Sequence, residues 1–277
     1  MSKIGKKTKT ALAAVLVLCL AGAVLPAARN AGNRQTEETE TPAAASAPAP
    51  SEEGTAPALP RLSDSQNQLL AQLSEAMERG DLEQAARLML EEETALGDLF
   101  YETLEGNRYL YQEGELSPDP DGTGLVLARP TVLFYGTFAG RVPQGQASAL
   151  QATQLEYPRY DYSAGSWEDG RMEGEGRTGY CYYAGAGEEN QSVSREGVFS
   201  GDLMEGAVRY VTVNAEGEES AWTMEAREGK LVLTDAWKYQ EHDGTYRLPS
   251  EGDSGHDYVI SEENAEETRF QNMIPWD

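Results

Sequence analysis

The chain has 277 residues, with 47 Asp and Glu against 22 Lys and Arg, for a net charge of −25 at pH 7. A field of that sign repels nucleic acid phosphates and anionic lipid headgroups, which argues against nucleic-acid partners and against direct lipid binding by the bulk of the chain. Two cysteines and two histidines exclude a disulfide framework and a typical zinc site.

Lys3, Lys6, Lys7 and Lys9 precede an uncharged stretch over residues 11–28. Basic residues before an apolar run are the pattern of an export signal or an N-in membrane anchor. Ala21-Gly22-Ala23 offers a small-x-small cleavage site, so residues 1–28 read as a cleaved signal peptide or as an uncleaved signal anchor. Cys19 follows Leu18 in the middle of the run, which argues against lipid attachment. Residues 29–62 are a low-complexity Ala/Pro/Glu linker that cannot form a core and acts as a solvated tether. This layout is that of a bacterial protein in the cell membrane, single-pass with its C-terminal part outside, or of a secreted one if the signal is cleaved. The membrane is then met through the N-terminal helix only.

Residues 63–98 change character. Leu69, Leu73 and Met77 recur at helical spacing, and Gly80 ends that segment. Asp81 with Gln84 then starts a second helix, whose Leu82, Ala85, Ala86 and Met89 follow the i, i+3, i+4, i+7 pattern. The expectation is a helical hairpin capping the first edge of a sheet.

A glycine-aromatic phrase follows, in three copies. Its fullest form is Gly165, Trp167, Gly170, Gly174 and Gly176. Gly136, Phe138 and Gly145 stand before it, and Gly197, Phe199 and Gly206 after it. The first and closing glycines are 9 residues apart in all three, with the ring two residues after the first glycine. A phrase returning at a near-fixed period marks an array of hairpins, with turns expected at Gly140, Gly170 and Gly201. Equivalent positions should place Phe138, Trp167 and Phe199 on one face, stacked over repeat glycines.

These residues resemble the MORN-repeat family, whose pattern is roughly Tyr-x-Gly-x-Trp-x-x-Gly-x-x-x-Gly-x-Gly. Residues 165–176 fit it best, with Tyr162 one residue early, and the two outer copies keep the first glycine, the ring and the closing glycine. Weaker copies run over residues 111–124 and 222–229. The resemblance implies a single curved antiparallel sheet used as an interaction platform, and fixes no partner. The fold class expected is therefore mainly β: repeated antiparallel hairpins in one curved sheet over residues 99–240, preceded by the helical hairpin and the N-terminal transmembrane or signal helix. Residues 241–277 form a C-terminal strand and tail, with the rings of residues 270–276 docking on the sheet.

Gly252-Asp253-Ser254-Gly255, near His242 and His256, matches the words around a serine-protease nucleophile but reads as a turn. Ser117 to Gly122 has the oxygens of half a calcium loop, yet Ala128 stands where the closing glutamate belongs. No catalytic, metal or cofactor residues are nominated, and catalysis is not expected. Tyr160, Tyr162, Tyr180, Tyr182 and Tyr183 cluster around the middle copy and form a candidate binding face. The expected function is an extracytoplasmic, membrane-tethered platform for a protein or a cell-envelope glycan. Two alternatives stand beside it: an envelope glycan hydrolase using a carboxylate pair, and a purely structural spacer.

Overall fold

A computed structural model describes residues 59–183, 191–239, 244–252 and 256–277. The expected signal or anchor, and nearly all of the linker, lie outside them. No helix among the described residues is long and apolar enough to cross a membrane.

The described residues are mainly β, with one large antiparallel sheet of eleven strands and a few short helices. A small hairpin, β1 (Leu110–Gln112) and β2 (Glu115–Ser117), precedes a meander. The meander runs through β3 (Gly122–Arg129), β4 (Val132–Ala139), β5 (Val142–Gln154), β6 (Pro158–Glu168) and β7 (Arg171–Tyr182). It continues through β8 (Ser192–Ser200), β9 (Leu203–Val213), β10 (Glu219–Arg227) and β11 (Lys230–Leu231). Each meander strand pairs with the next, and β1 joins the edge of β3.

Five hairpins turn at one end of the sheet through two residues of positive φ: Glu113-Gly114, Gly140-Arg141, Asp169-Gly170, Gly201-Asp202 and Glu228-Gly229. Positive φ at both central residues is the signature of a type I′ turn, whose twist matches that of the strands it joins. The expected turns at Gly140, Gly170 and Gly201 are three of these. The opposite end carries the connections at 130–131, 155–157 and 214–218.

Period-2 alternation sorts the side chains into two cores. Leu125, Leu127, Leu133, Leu150 and Ala152 point to one face and meet the helices. Val126, Phe134, Phe138, Ala149, Trp167 and Phe199 point to the other, here called the ring face. α1 (Asp64–Glu78) starts at a capping box in which Ser63 accepts from the Gln66 backbone, and the Gln66 side chain accepts from the Ser63 N–H. α2 (Leu82–Glu91) is capped by Asp81. α3 (Glu93–Asp98) and a π-turn over Leu99–Thr103 prolong the helical region. α1 packs on β3 and β4, and α2 on β5 and β6. The edge position expected for this hairpin is thus corrected. β3 reads Leu125-Val126-Leu127-Ala128, apolar on both faces, and a two-sided apolar strand must be covered on both.

On the ring face the cover is the C-terminal segment. It comprises β12 (Thr245–Leu248) paired with β13 (Tyr258–Ser261), α4 (Glu262–Glu267) and a tail. The apolar run 230–234 supplies only the two-residue β11, and the acidic run 262–267 forms α4 with its glutamates exposed. In the tail, the Phe270 N–H donates to Gly229 O at 2.8 Å and the Asn272 N–H to Asp202 O at 2.8 Å. Trp276 then packs edge-on against Phe134 at 4.8 Å, with the Arg108 guanidinium 4.4 Å from its ring centre.

Candidate functional site

The repeat residues build the frame that positions everything else. Gly124, Gly136, Ala147, Gly165, Gly176 and Gly197 pair successively across β3 to β8, forming one row of small residues perpendicular to the strands. A Cβ on Gly165 (φ +151) would sit 2.5 Å from Glu175 O, and one on Gly136 (φ +148) 2.5 Å from Gln146 O. Side chains are excluded there by backbone, whatever their chemistry. Phe138, Trp167 and Phe199 are buried on the ring face beside this row. Phe199 lies against Gly176, and Trp167 Nε1 donates to Ala147 O at 3.0 Å. The closing glycines Gly145, Gly174 and Gly206 sit at three β-bulges, each with positive φ, where three residues oppose one.

A second repeated device joins hairpin to hairpin. The residue before each closing glycine offers a side-chain oxygen to the first turn residue of the next hairpin. Gln144 Oε1 accepts from the Asp169 N–H at 3.0 Å, Glu173 Oε2 from the Gly201 N–H at 2.8 Å, and Glu205 Oε1 from the Glu228 N–H at 2.6 Å. The carbonyl one residue earlier accepts from the second turn residue: Pro143 O from Gly170, Met172 O from Asp202, Met204 O from Gly229. Each turn is therefore clamped by its predecessor. Asp121, in the half-calcium-loop motif, starts the series by accepting from the Gly140 N–H at 2.8 Å.

The five candidate tyrosines do not share a face. Tyr160, Tyr162 and Tyr183 lie on the helix face, with ring centres 6.2 Å (160–162) and 5.8 Å (160–183) apart. The Tyr162 hydroxyl approaches Gly179, and burial pushes the phenols of Tyr160 and Tyr162 up. Cys181 is on this side too, its thiol raised by burial. Tyr180 and Tyr182 are on the ring face, 5.8 Å apart edge-on. The set is split because Tyr160 pairs with Cys181 and Tyr180 with Asp161, so the β6 and β7 tyrosines have opposite parity.

Tyr180 and Tyr182 belong instead to a ladder of cations and rings on the ring face, toward the long-loop end. The Arg159 guanidinium lies 4.2 Å from the Tyr180 ring centre and 5.6 Å from that of Tyr182, and is paired to Asp161. Arg195 on β8 lies 5.5 Å from the ring centre of Tyr210 on β9. Tyr210 meets Tyr258 at 5.7 Å and Trp222 at 6.1 Å. Burial raises the phenols of Tyr180, Tyr210 and Tyr258, and Arg195 opposes the rise at all three. The far end opens into a recess of about 790 Å³ lined by Thr212, Ser220, Trp222, Tyr258 and the acidic Glu219 and Asp257.

Arg159, Arg195, Tyr210 and Tyr258 were not singled out by sequence reasoning. Their signal was parity: Val193, Arg195, Gly197 and Phe199 alternate along one strand, which puts Arg195 on the side of the repeat ring. Among the described residues no group of three His, Cys, Asp or Glu side chains is placed to hold a metal ion. The Gly252–Gly255 motif lies partly outside the described residues. No family model matches this chain, and no curated protein matches it either.

Proposed function

We propose that the chain is a binding platform whose ligand, a cell-envelope glycan or a protein, is taken up along the Arg159–Tyr180–Arg195–Tyr210–Tyr258 ladder. The observation that carries this reading is the ladder itself: partly exposed rings interleaved with guanidiniums, running across five strands into an open recess. Tyrosine presents a rigid amphipathic surface with few rotors to freeze, which suits sugar faces and peptide planes alike. The clamped frame adds preorganisation, since little backbone freedom is left to lose on binding.

The hairpins are read as degenerate repeats of the MORN type. Support comes from the equivalent rings, the equivalent bulge glycines and the clamp that recurs with them. An extracytoplasmic site, tethered by the N-terminal segment, is supported by four lysines before an apolar run and by the linker after it. A glycan hydrolase would need two carboxylates set apart for acid and base work. Asp161 is committed to Arg159, and in the recess Glu219 is paired to Arg209 and Asp257 to Arg247, which favours binding over hydrolysis.

The test is affinity electrophoresis of the full-length chain through gels containing purified envelope polysaccharide. Retardation should fall when Tyr182 is changed to Ser, while the melting temperature stays within a few degrees. Unchanged migration of wild type and variant alike, in gels of polysaccharide and in pull-downs with envelope proteins, would leave only the spacer reading.

A further inference from the structure

Arg195 is an anomaly of charge. In a chain with 47 acidic residues, it has no carboxylate within ion-pair distance among the described residues. Its Nε is buried and donates to no protein acceptor, and its Nη1 faces the Met273 thioether at 3.7 Å, a weak acceptor. A partly buried guanidinium whose surroundings are three phenols and a thioether is a cation held ready for an anion, because a desolvated charge without a counter-charge is costly.

We propose that the ladder takes an otherwise neutral sugar bearing one carboxylate, with Arg195 pairing the carboxylate and the rings on either side stacking the sugar. This rests on the binding-platform reading. The guanidinium fork matches a carboxylate in plane and spacing. The charge of the whole molecule sets the ligand's limit. A polyanion or a phosphate dianion meets the repulsion of −25, whereas a lone carboxylate is governed by what lies within a Debye length of about 8 Å. Tyr180 and Tyr182 flank the site on one side, and Tyr210, Trp222 and Tyr258 on the other. Thr212 and Ser220 add hydroxyls in the nearby recess, where Glu219 is paired to Arg209 and Asp257 to Arg247. Arg159 cannot serve in place of Arg195, because Asp161 already neutralises it.

The probes are D-glucuronate, D-glucose and N-acetylglutamate, titrated into the full-length chain in detergent. Affinity is read by calorimetry and by the ¹H–¹⁵N resonance of the Arg195 Nε–H. Glucuronate should bind at least tenfold more tightly than glucose and should move that resonance. Arg195→Gln should abolish the difference between the two sugars, and Arg195→Lys should restore only part of it, since the charge returns without the fork. Equal affinities for glucuronate and glucose, or a preference that survives Arg195→Gln, would overturn the proposal. N-acetylglutamate binding as tightly as glucuronate would overturn it in favour of an acidic peptide. Should none of the three bind while envelope polysaccharide still retards the chain, the inference falls and the platform stands; if retardation is absent too, both fall.

Discussion

Gly165 and Gly145 both have positive φ, yet they resist substitution for different reasons. At Gly165 an added methyl meets Glu175 O at 2.5 Å, while at Gly145 it meets nothing within 4 Å. Gly145→Ala should therefore cost only the left-handed penalty of about 1–2 kcal/mol. Gly165→Ala adds a backbone clash to a strained dihedral and should cost about 3 kcal/mol or more. Urea denaturation of the two variants separates the cases, and equal losses would mean that the glycine row is not held by close approach. Trp167→Ala removes a buried ring and its bond to Ala147 O, for an expected loss of about 3–5 kcal/mol. These positions were legible from the sequence, because Gly-x-aromatic with a closing glycine at 9 is a spacing that three copies share. Arg195 was harder to see. A lone arginine in a strand carries no pattern of its own, and only its parity with Phe199 assigns it to a face.

At the scale of the hairpin, the clamp explains how bulged strands keep register. Bulges kink a ladder and leave a residue unpaired, and the side chain of Gln144, Glu173 or Glu205 returns a bond to the neighbouring turn. The acceptor is an oxygen and needs no charge, as Gln144 shows. Glu173→Gln should therefore be close to neutral, whereas Glu173→Ala should cost about 0.5–1.5 kcal/mol and raise amide exchange at Gly201. A Gln variant as damaging as the Ala variant would mean that charge, not the bond, holds the turn. This clamp was written in the sequence as an acceptor before each closing glycine, but it can be read only once the turns are known to stack. The helical pair shows the reverse case. Its periodicity gave two helices, but not their place, since amphipathicity says that a face is buried and not against what. The answer lay thirty residues or more downstream, in the second apolar row of Leu125, Leu127, Leu133 and Leu150.

At the largest scale, the described residues form a sheet between two unlike covers, helices on one side and the C-terminal segment on the other. Both cores contain phenols raised by burial, including Tyr160 and Tyr162 under α2 and Tyr210 and Tyr258 on the ring face. A phenol whose folded pKa lies above its unfolded value contributes stability that is complete below the unfolded pKa, near 10, and is lost as pH rises through the folded one. The melting temperature should thus hold through neutral pH and fall above about pH 10, with phenolate absorbance appearing in step with unfolding. Ionisation of all the tyrosines at their ordinary pKa in a still folded chain would contradict the burial.

The tail has a consequence for how the protein comes into being. Synthesis proceeds from the N-terminus, so the segment carrying Phe270, Ile274 and Trp276 emerges after every strand it packs against. Until it arrives, Phe134, Phe138 and Trp167 face solvent on a sheet already wide enough to pair with itself, and the growing chain is at its stickiest just before that segment docks. Removing the residues after Glu267 would spare every strand and every turn and still leave a product fit chiefly for proteolysis.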